Sequence, residues 1–434
     1  MTGLVDLPLE EHRLANGLRV VLNPDPALPL VAVNLWYHVG SRNETRGRTG
    51  FAHLFEHMLF QGSQHVGTND HFRLVQQVGG VANGSTWYDR TNYYETLPSS
   101  HLELGLWLES DRMGWLLPAM TAEKLETQRQ VVMNERRQRV DNQPYGRAFE
   151  RLNELLFPAE HPYSWPVIGY MEDIAAATLE DVESFFRTWY TPDNAVLTLA
   201  GDLEPERALA LVERYFGDIP PGPRPLPPDP TPLPPAPATR ETMPDAVELA
   251  RLYLAWRLPA YGTDEWYAAD LLSSVLTGGR SSPMYRDLVH GRQLVQDVGA
   301  FALPTEMAGS FTLVATVKPE VEPEEVEVAV RGHLAAAATA PSDAADLERA
   351  RNRLLTNHWE ALQQLDQRAD QLSQLTTYFG DPRLLTRELE RYATLDAEDL
   401  RRTAATWLAA DGGVALTVVP ARAAAGGPAG GETA

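Results

Sequence analysis

The residues with the clearest chemical potential are two histidines and a glutamate in the segment His53-Leu-Phe-Glu56-His57. Residues four apart lie on one face of an α-helix, so both imidazoles can reach one metal ion. Glu56, three residues after His53, lies about 60° around the helix, close enough to accept a proton from a metal-bound water. The chain has no cysteine, so zinc must take histidine and carboxylate ligands. The motif therefore predicts a catalytic zinc site with Glu56 as general base.

A catalytic zinc takes a third protein ligand, and the motif does not contain one. The helix-like segment 125–139 offers Glu126 and Glu135, and spacing alone does not decide between them. A lone histidine is usually a hydrogen-bonded structural residue. We assign that role to five others, namely His38, His65, His71, His161 and His290.

The elements that hold the motif can be read from the apolar pattern of the first half. Apolar runs bounded by turn residues predict strands at 17–22 and 31–37. Helical apolar spacing, with Thr, Ser or Asp before several of the segments, predicts helices at 48–61, 70–78, 101–115, 122–139, 145–156, 178–190 and 204–216. We expect an α+β unit whose helices are segregated from a mostly antiparallel sheet.

A proline-rich stretch from Pro220 to Pro237 predicts an extended spacer between two halves. Across it the chain repeats at an offset of 218 residues, so that 179–189 aligns with 397–407 and the following apolar runs also align. We therefore predict two homologous domains joined by a linker. Their bounds are 1–219 for the zinc-binding domain, 220–240 for the linker, 241–420 for a domain without metal, and 421–434 for a mobile tail.

Composition excludes several classes of partner. A chain of 434 residues is long enough for two cores. Its formal net charge of -22 opposes binding to nucleic acid and to anionic membranes. The start of the chain lacks a basic segment followed by an apolar core, and no run of 18 uncharged apolar residues occurs. We expect a soluble, cytoplasmic protein that binds neither nucleic acid nor membrane.

On these motifs the chain resembles the pitrilysin-type (insulinase-like) zinc metallopeptidases, and within them the half-length branch with the mitochondrial processing peptidase β subunit and bacterial two-subunit enzymes. The resemblance implies that the distal zinc ligand, in a Val-Val-x-x-Glu segment, is Glu135. It implies that Asn83 and Gly84 contact an extended peptide at a strand edge. An ordinary half-buried hairpin is the alternative for that stretch. Gln128 is a departure, because many relatives have an assisting glutamate there.

A second departure concerns the other half of the chain. Relatives that act alone have an Arg and a Tyr there that bind the substrate carbonyl, and Val289 and Gln296 occupy those places. The segment 268–273 replaces the zinc motif. The resemblance thus implies a zinc endopeptidase subunit whose homologous partner supplies Arg and Tyr in a heterodimer. The alternatives are a non-catalytic assembly subunit and a presequence-processing peptidase whose acidic chamber attracts basic peptides.

Overall fold

The computed structural model describes residues 7–223 and 233–421. The first sheet has six strands in the order β1-β2-β6-β3-β5-β4, so β4 is an edge strand. Its strands are antiparallel to their neighbours except for β2 and β6, which are parallel. The strands are β1 (Glu10–Arg13), β2 (Arg19–Pro24), β3 (Leu30–Tyr37), β4 (Val81–Thr86), β5 (Thr91–Pro98) and β6 (Ala195–Gly201).

The second sheet repeats this arrangement with five strands in the order β7-β11-β8-β10-β9. Here β7 and β11 are the parallel pair, and β9 is the edge strand that corresponds to β4. The strands are β7 (Thr239–Asp245), β8 (Arg251–Leu258), β9 (Val295–Leu303), β10 (Gly309–Val317) and β11 (Val414–Pro420). Two mostly antiparallel sheets with separate helices confirm the predicted α+β class.

The helices of the first half follow the predicted segments with shorter bounds, except for α6, which was not predicted. They are α1 (Phe51–Met58), α2 (Asp70–Gln77), α3 (Leu102–Trp115), α4 (Ala122–Arg136), α5 (Ala148–Leu156), α6 (Met171–Ala176), α7 (Leu179–Trp189) and α8 (Pro205–Phe216). The helix predicted at 122–139 is α4 followed by a π-helical turn over Arg137–Asp141. In place of 48–61, α1 starts only after Gly50, whose φ of 83° is not helical.

The helices of the second half include the repeated helix–strand unit. They are α9 (Asp264–Thr277), α10 (Pro323–Thr339), α11 (Ala344–Gln363), α12 (Leu365–Phe379), α13 (Leu384–Thr394) and α14 (Ala397–Trp407). The aligned segments of the sequence repeat are α7 and α14, and each is followed by the strand that lies inside its sheet next to the parallel partner.

Each sheet is covered on one face by a helix from the opposite half, which the sequence pattern did not predict. The main core of the first half lies between its sheet and helices such as α1, α3 and α8. On the other face of that sheet lies α12, whose Leu372 and Leu375 pack with Trp36. In return α5 packs on the second sheet, with Leu152 in a shared cluster with Tyr253. The two halves are therefore joined by buried apolar contacts.

Two predicted segments lie wholly or partly outside the described residues. The predicted linker 220–240 is described only at its two ends, and β7 begins at Thr239, inside it, because Thr239 and Arg240 follow the last proline of the linker and pair with Val414 and Ala415 of β11. Of the predicted tail only Ala421 is described. In the described parts of the chain, no helix combines the length and apolar character needed to cross a membrane.

Candidate metal centre

The helix that carries the motif is capped by a buried carboxylate. Glu44 accepts hydrogen bonds from the backbone N–H groups of Gly50 (2.9 Å) and Ala52 (2.8 Å), one at each of its oxygens. Gly50 must be a glycine here, because a Cβ would lie 2.6 Å from the carbonyl oxygen of Ile168 and its φ is positive. The buried face of α1 consists of Leu54, Phe55 and Met58. This packing fixes the direction of the opposite, polar face.

That polar face brings the two histidines to a glutamate on α4. Nε2 of His53 lies 3.7 Å and Nε2 of His57 lies 3.2 Å from Oε2 of Glu135. Two ligands about 2.1 Å from a tetrahedral zinc ion lie about 3.4 Å from each other, so this spacing suits one ion. Glu126, the other candidate, is exposed and bonded to Arg129. The structure therefore groups His53 and His57 with Glu135.

The charge states of His53 and Glu135 also suit zinc. Burial and repulsion from His57 lower the pKa of His53 to about 4, so its imidazole is neutral at pH 7, the form that binds metal. A hydrogen bond from His57 lowers the pKa of Glu135, which favours its carboxylate form. Nη1 of Arg139 forms an ion pair with Oε1 of Glu135 (2.6 Å), and Oε2 faces the imidazoles. Two histidine side chains and a carboxylate are a fitting donor set for a catalytic zinc.

Glu56 lies beside this group and next to the edge strand. Oγ1 of Thr86, on β4, donates a hydrogen bond to Oε2 of Glu56 (2.5 Å). Burial raises the pKa of Glu56, and the Thr86 hydrogen bond opposes this shift. A Cβ on Gly84 would come within 3.3 Å of Glu56 Cγ and 3.1 Å of the rings of Phe60 and Tyr93, so β4 lies close against these side chains. A carboxyl group with a raised pKa is suited to accept and return a proton.

The two residues assigned to substrate contact are both on β4 but face differently. Gly84 and Thr86 point toward Glu56, whereas strand alternation turns Asn83 and Ser85 to the other face of the sheet. The Gly84 N–H donates to Oδ1 of Asn83 (2.9 Å). We had not predicted the Thr86 contact, although the same alternation from Gly84 indicates it.

Both halves of the chain are similar to known protein families. Residues 19–163 match the family described as "Insulinase (Peptidase family M16)", and residues 176–354 match "Peptidase M16 inactive domain". The zinc protease PqqE of Helicobacter pylori is 30% identical over 322 residues, which cover 73% of this chain and 72% of that protein. The chain belongs to peptidase family M16. The predicted resemblance to pitrilysin-type peptidases is thereby confirmed.

Other members of M16 resemble the chain over different lengths. The mitochondrial-processing peptidase subunit beta of Blastocladiella emersonii is 30% identical over 223 residues, which cover 51% of this chain and 47% of that protein. A solved structure of a protease from Helicobacter pylori has a TM-score of 0.88 and 26% identity, covering 95% of this chain and 100% of that one. The M16 fold therefore extends over nearly the whole chain.

Gln128 of this M16 chain is buried on α4, two helical turns before Glu135. As an amide it can form hydrogen bonds there but cannot carry a charge. In the second half, Val289 lies half-buried in a π-helical turn and Gln296 is exposed on the edge strand β9. Neither side chain offers the cationic or phenolic donor expected at these places.

A second cluster of possible ligands in this M16 chain is already charge-compensated. His71, Glu95 and Glu109 are buried close together, and His71 bonds Glu95 at 2.9 Å. The guanidinium of Arg112 pairs with Glu109 through two nitrogens and lies 4.1 Å from the Tyr93 ring. Since this buried cation occupies the position beside the carboxylates, we assign the cluster to structural ion pairing.

Proposed function

We propose that this M16 chain is a catalytically competent zinc endopeptidase subunit. The observation that carries the proposal is the placement of α1, which turns His53 and His57 toward Glu135 and sets Glu56 against β4. His53, His57 and Glu135 would hold the zinc ion. A subunit with only an assembly role would need neither this donor set nor a carboxyl group beside an open sheet edge.

Glu56 would act as the general base and then as the general acid. Zinc held by the three ligands supplies a Lewis acid that makes water more acidic and polarises a peptide carbonyl. Glu56 accepts a proton from the attacking water while the water oxygen bonds to the carbonyl carbon. The C–N bond then breaks, and Glu56 donates that proton to the departing amine. Thr86 holds Oε2 of Glu56, which leaves the other oxygen for the water.

The substrate would be an unfolded segment or short peptide that binds as an added strand on β4. An edge strand has free main-chain groups that can pair with an extended peptide whatever its sequence. The local bond between the Gly84 N–H and Asn83 can be replaced by a bond to a peptide carbonyl. A folded substrate could not present its backbone in this way.

A homologous partner would supply the groups that bind the scissile carbonyl. Val289 and Gln296 lack the cationic and phenolic donors that would stabilise an oxyanion. The similarity to a protein named as a β subunit supports a two-chain arrangement. We therefore propose a heterodimer in which this chain contributes the zinc and the base, and the partner an Arg and a Tyr.

Cleavage of a quenched fluorescent peptide tests the proposal. The chain is assayed alone and with a homologous M16 partner, with and without chelator, beside Glu56→Gln. We expect chelator-sensitive cleavage that needs the partner, and a loss of about 10²–10⁴-fold in Glu56→Gln with unchanged zinc content. Full activity of the chain alone would contradict the heterodimer. Absence of cleavage in every mixture would favour the assembly role, which the match of residues 176–354 to an "inactive domain" also suggests.

A further inference from the structure

The helix α12 places the carboxylate of Asp370 on the face of the first sheet that is opposite the metal centre. Oδ1 of Asp370 accepts hydrogen bonds from Nε1 of Trp36 (2.7 Å), Nδ2 of Asn92 (2.8 Å) and Nδ2 of Asn34 (3.3 Å). Asn34 and Asn92 are almost fully buried. A carboxylate from the second half of the chain thus gathers three donors from the strands β3 and β5.

The carboxylate decides how the amide of Asn92 is turned. A carboxylate can only accept, so Asn92 must direct its NH₂ group to Asp370 and its carbonyl oxygen away. That oxygen accepts from Oγ of Ser85 (2.7 Å) and from Nη1 of Arg90 (3.2 Å). The same Arg90 nitrogen also donates to the backbone oxygen and to Oγ of Ser85 (2.8 and 2.6 Å). The connected groups therefore end on the side chain and the backbone of β4.

Ser85 is the residue of β4 between Gly84 and Thr86. Those two neighbours face the metal centre, where Thr86 bonds Glu56, while Ser85 faces α12. A hydrogen-bonded path thus runs from the second half of the chain to the strand beside the catalytic base. It does not pass through α1 or α4, which carry the metal ligands.

We propose that Asp370 is a positioning residue that holds β4 in the register needed to bind a peptide. The inference rests on the proposed function, since it assigns β4 the role of peptide-binding edge. It gives the second half of the chain a part in substrate binding, exerted through α12 on the back of the sheet.

Replacement of Asp370 by Leu removes the acceptor and tests this role. A peptide that pairs with a loosened β4 loses binding in ground state and transition state alike, which raises KM and leaves kcat unchanged. We expect Asp370→Leu to raise KM about tenfold, the size of one lost hydrogen bond to a charged group. Zinc affinity should not change. Asp370→Asn keeps an oxygen acceptor and should restore KM to within about twofold of the wild type.

Leu372→Ala is the matched control, because Leu372 lies on the same helix and packs on the same sheet without joining the hydrogen bonds. It should lower Tm but leave KM unchanged. The two variants are compared under conditions in which both have lost the same amount of Tm. An equal rise in KM for Leu372→Ala and Asp370→Leu would then mean that Asp370 contributes only as a packing contact. A KM for Asp370→Leu equal to that of the wild type would overturn the proposal outright.

A double-mutant cycle and an assay that needs no activity complete the test. If the path runs through Ser85, Ser85→Ala should raise KM similarly, and its effect should not add to that of Asp370→Leu. Hydrogen exchange of the β4 amides should speed up in Asp370→Leu, with that of α1 unchanged. An inactive wild type would contradict the proposed function, whereas unchanged β4 exchange would contradict the positioning role by itself.

Discussion

The two sheets of the molecule share one frame, yet they use their polar residues differently. Both have an inner strand, β6 or β11, that is parallel to one neighbour and antiparallel to the other and that follows an aligned helix, α7 or α14. Both end in a free edge strand, β4 or β9. The frame by itself therefore does not explain why, among the residues that the structure describes, a donor set that fits zinc occurs in the first half only.

The difference lies in where the polar side chains of two helices find their partners. On α1, His53 and His57 turn outward to Glu135 on another helix. On α9, the corresponding segment carries Asp270, which accepts from the hydroxyl of Tyr392 (2.8 Å), and Ser273, which bonds the backbone oxygen of Asp270. In the described parts of the chain, possible metal-binding clusters lie only in the first half. The function follows from a few side chains placed on a repeated fold.

The largest expected effect is on zinc binding, which should be lost on substitution in the first half and kept on substitution at the corresponding helix of the second half. His57→Ala removes a proposed ligand and should weaken zinc binding by more than about 100-fold, since even the loss of groups that support ligands costs 10–100-fold. Asp270→Asn, at the corresponding helix of the second half, should keep one zinc per chain. Metal analysis after dialysis measures both. Zinc retained by His57→Ala would break the comparison.

The buried Asp270 should make stability fall as pH rises. Burial raises the pKa of Asp270 to about 6 from 3.8, so between these values the unfolded chain releases a proton that the folded chain keeps. The free energy of unfolding should therefore decrease by about 2 kcal/mol from pH 4 to pH 7 through this group. Asp270→Asn, which still accepts from Tyr392, should remove that decrease. Urea denaturation of the wild type and of Asp270→Asn at both pH values measures the decrease. The same decrease in both proteins would contradict the prediction.

Much of this fold was open to prediction because its signals are local. The apolar spacing of the first half located its helices except for the short α6, and the repeat indicated α7 and α14. The crossing of α12 and α5 to the opposite sheets was not predicted. An apolar helix face shows that a helix is covered but not by which element, so Leu372 and Leu152 gave no indication of their distant partners.

The candidate metal centre, too, could be predicted only as far as its signals are local in the sequence. The spacing of His53, Glu56 and His57 predicted one helix face, but the choice between Glu135 and Glu126 needed the family resemblance. The two glutamates are nine residues apart, so they face opposite sides of α4, and only packing decides which side meets α1. Glu44 escaped prediction because it caps α1 from a preceding loop without a local capping pattern.

The caps of the two helices offer a smaller test of the same comparison. Glu44→Gln leaves one acceptor oxygen for two backbone N–H groups, so one of them faces an NH₂ group. We expect a loss of about 1–3 kcal/mol in the free energy of unfolding. In the second half α9 has an ordinary cap, Thr263, and Thr263→Ala should cost about 1 kcal/mol. Urea denaturation compares the two losses of free energy. A loss for Glu44→Gln equal to or smaller than that for Thr263→Ala would contradict the prediction that Glu44 stabilises α1 more than an ordinary cap stabilises α9.

The smallest expected effect concerns Arg139, in the turn that follows α4. Its guanidinium holds Oε1 of Glu135 at 2.6 Å, while its side chain is 76% exposed. Groups that orient a metal ligand affect zinc affinity by about 10–100-fold, and solvent screening of an exposed arginine places this one at about tenfold or less. Arg137→Ala, in the same turn but bonded to Asn134, is the control. Competition with a chromophoric chelator should show weaker zinc binding for Arg139→Ala only. Equal affinities would mean that α4 alone orients Glu135.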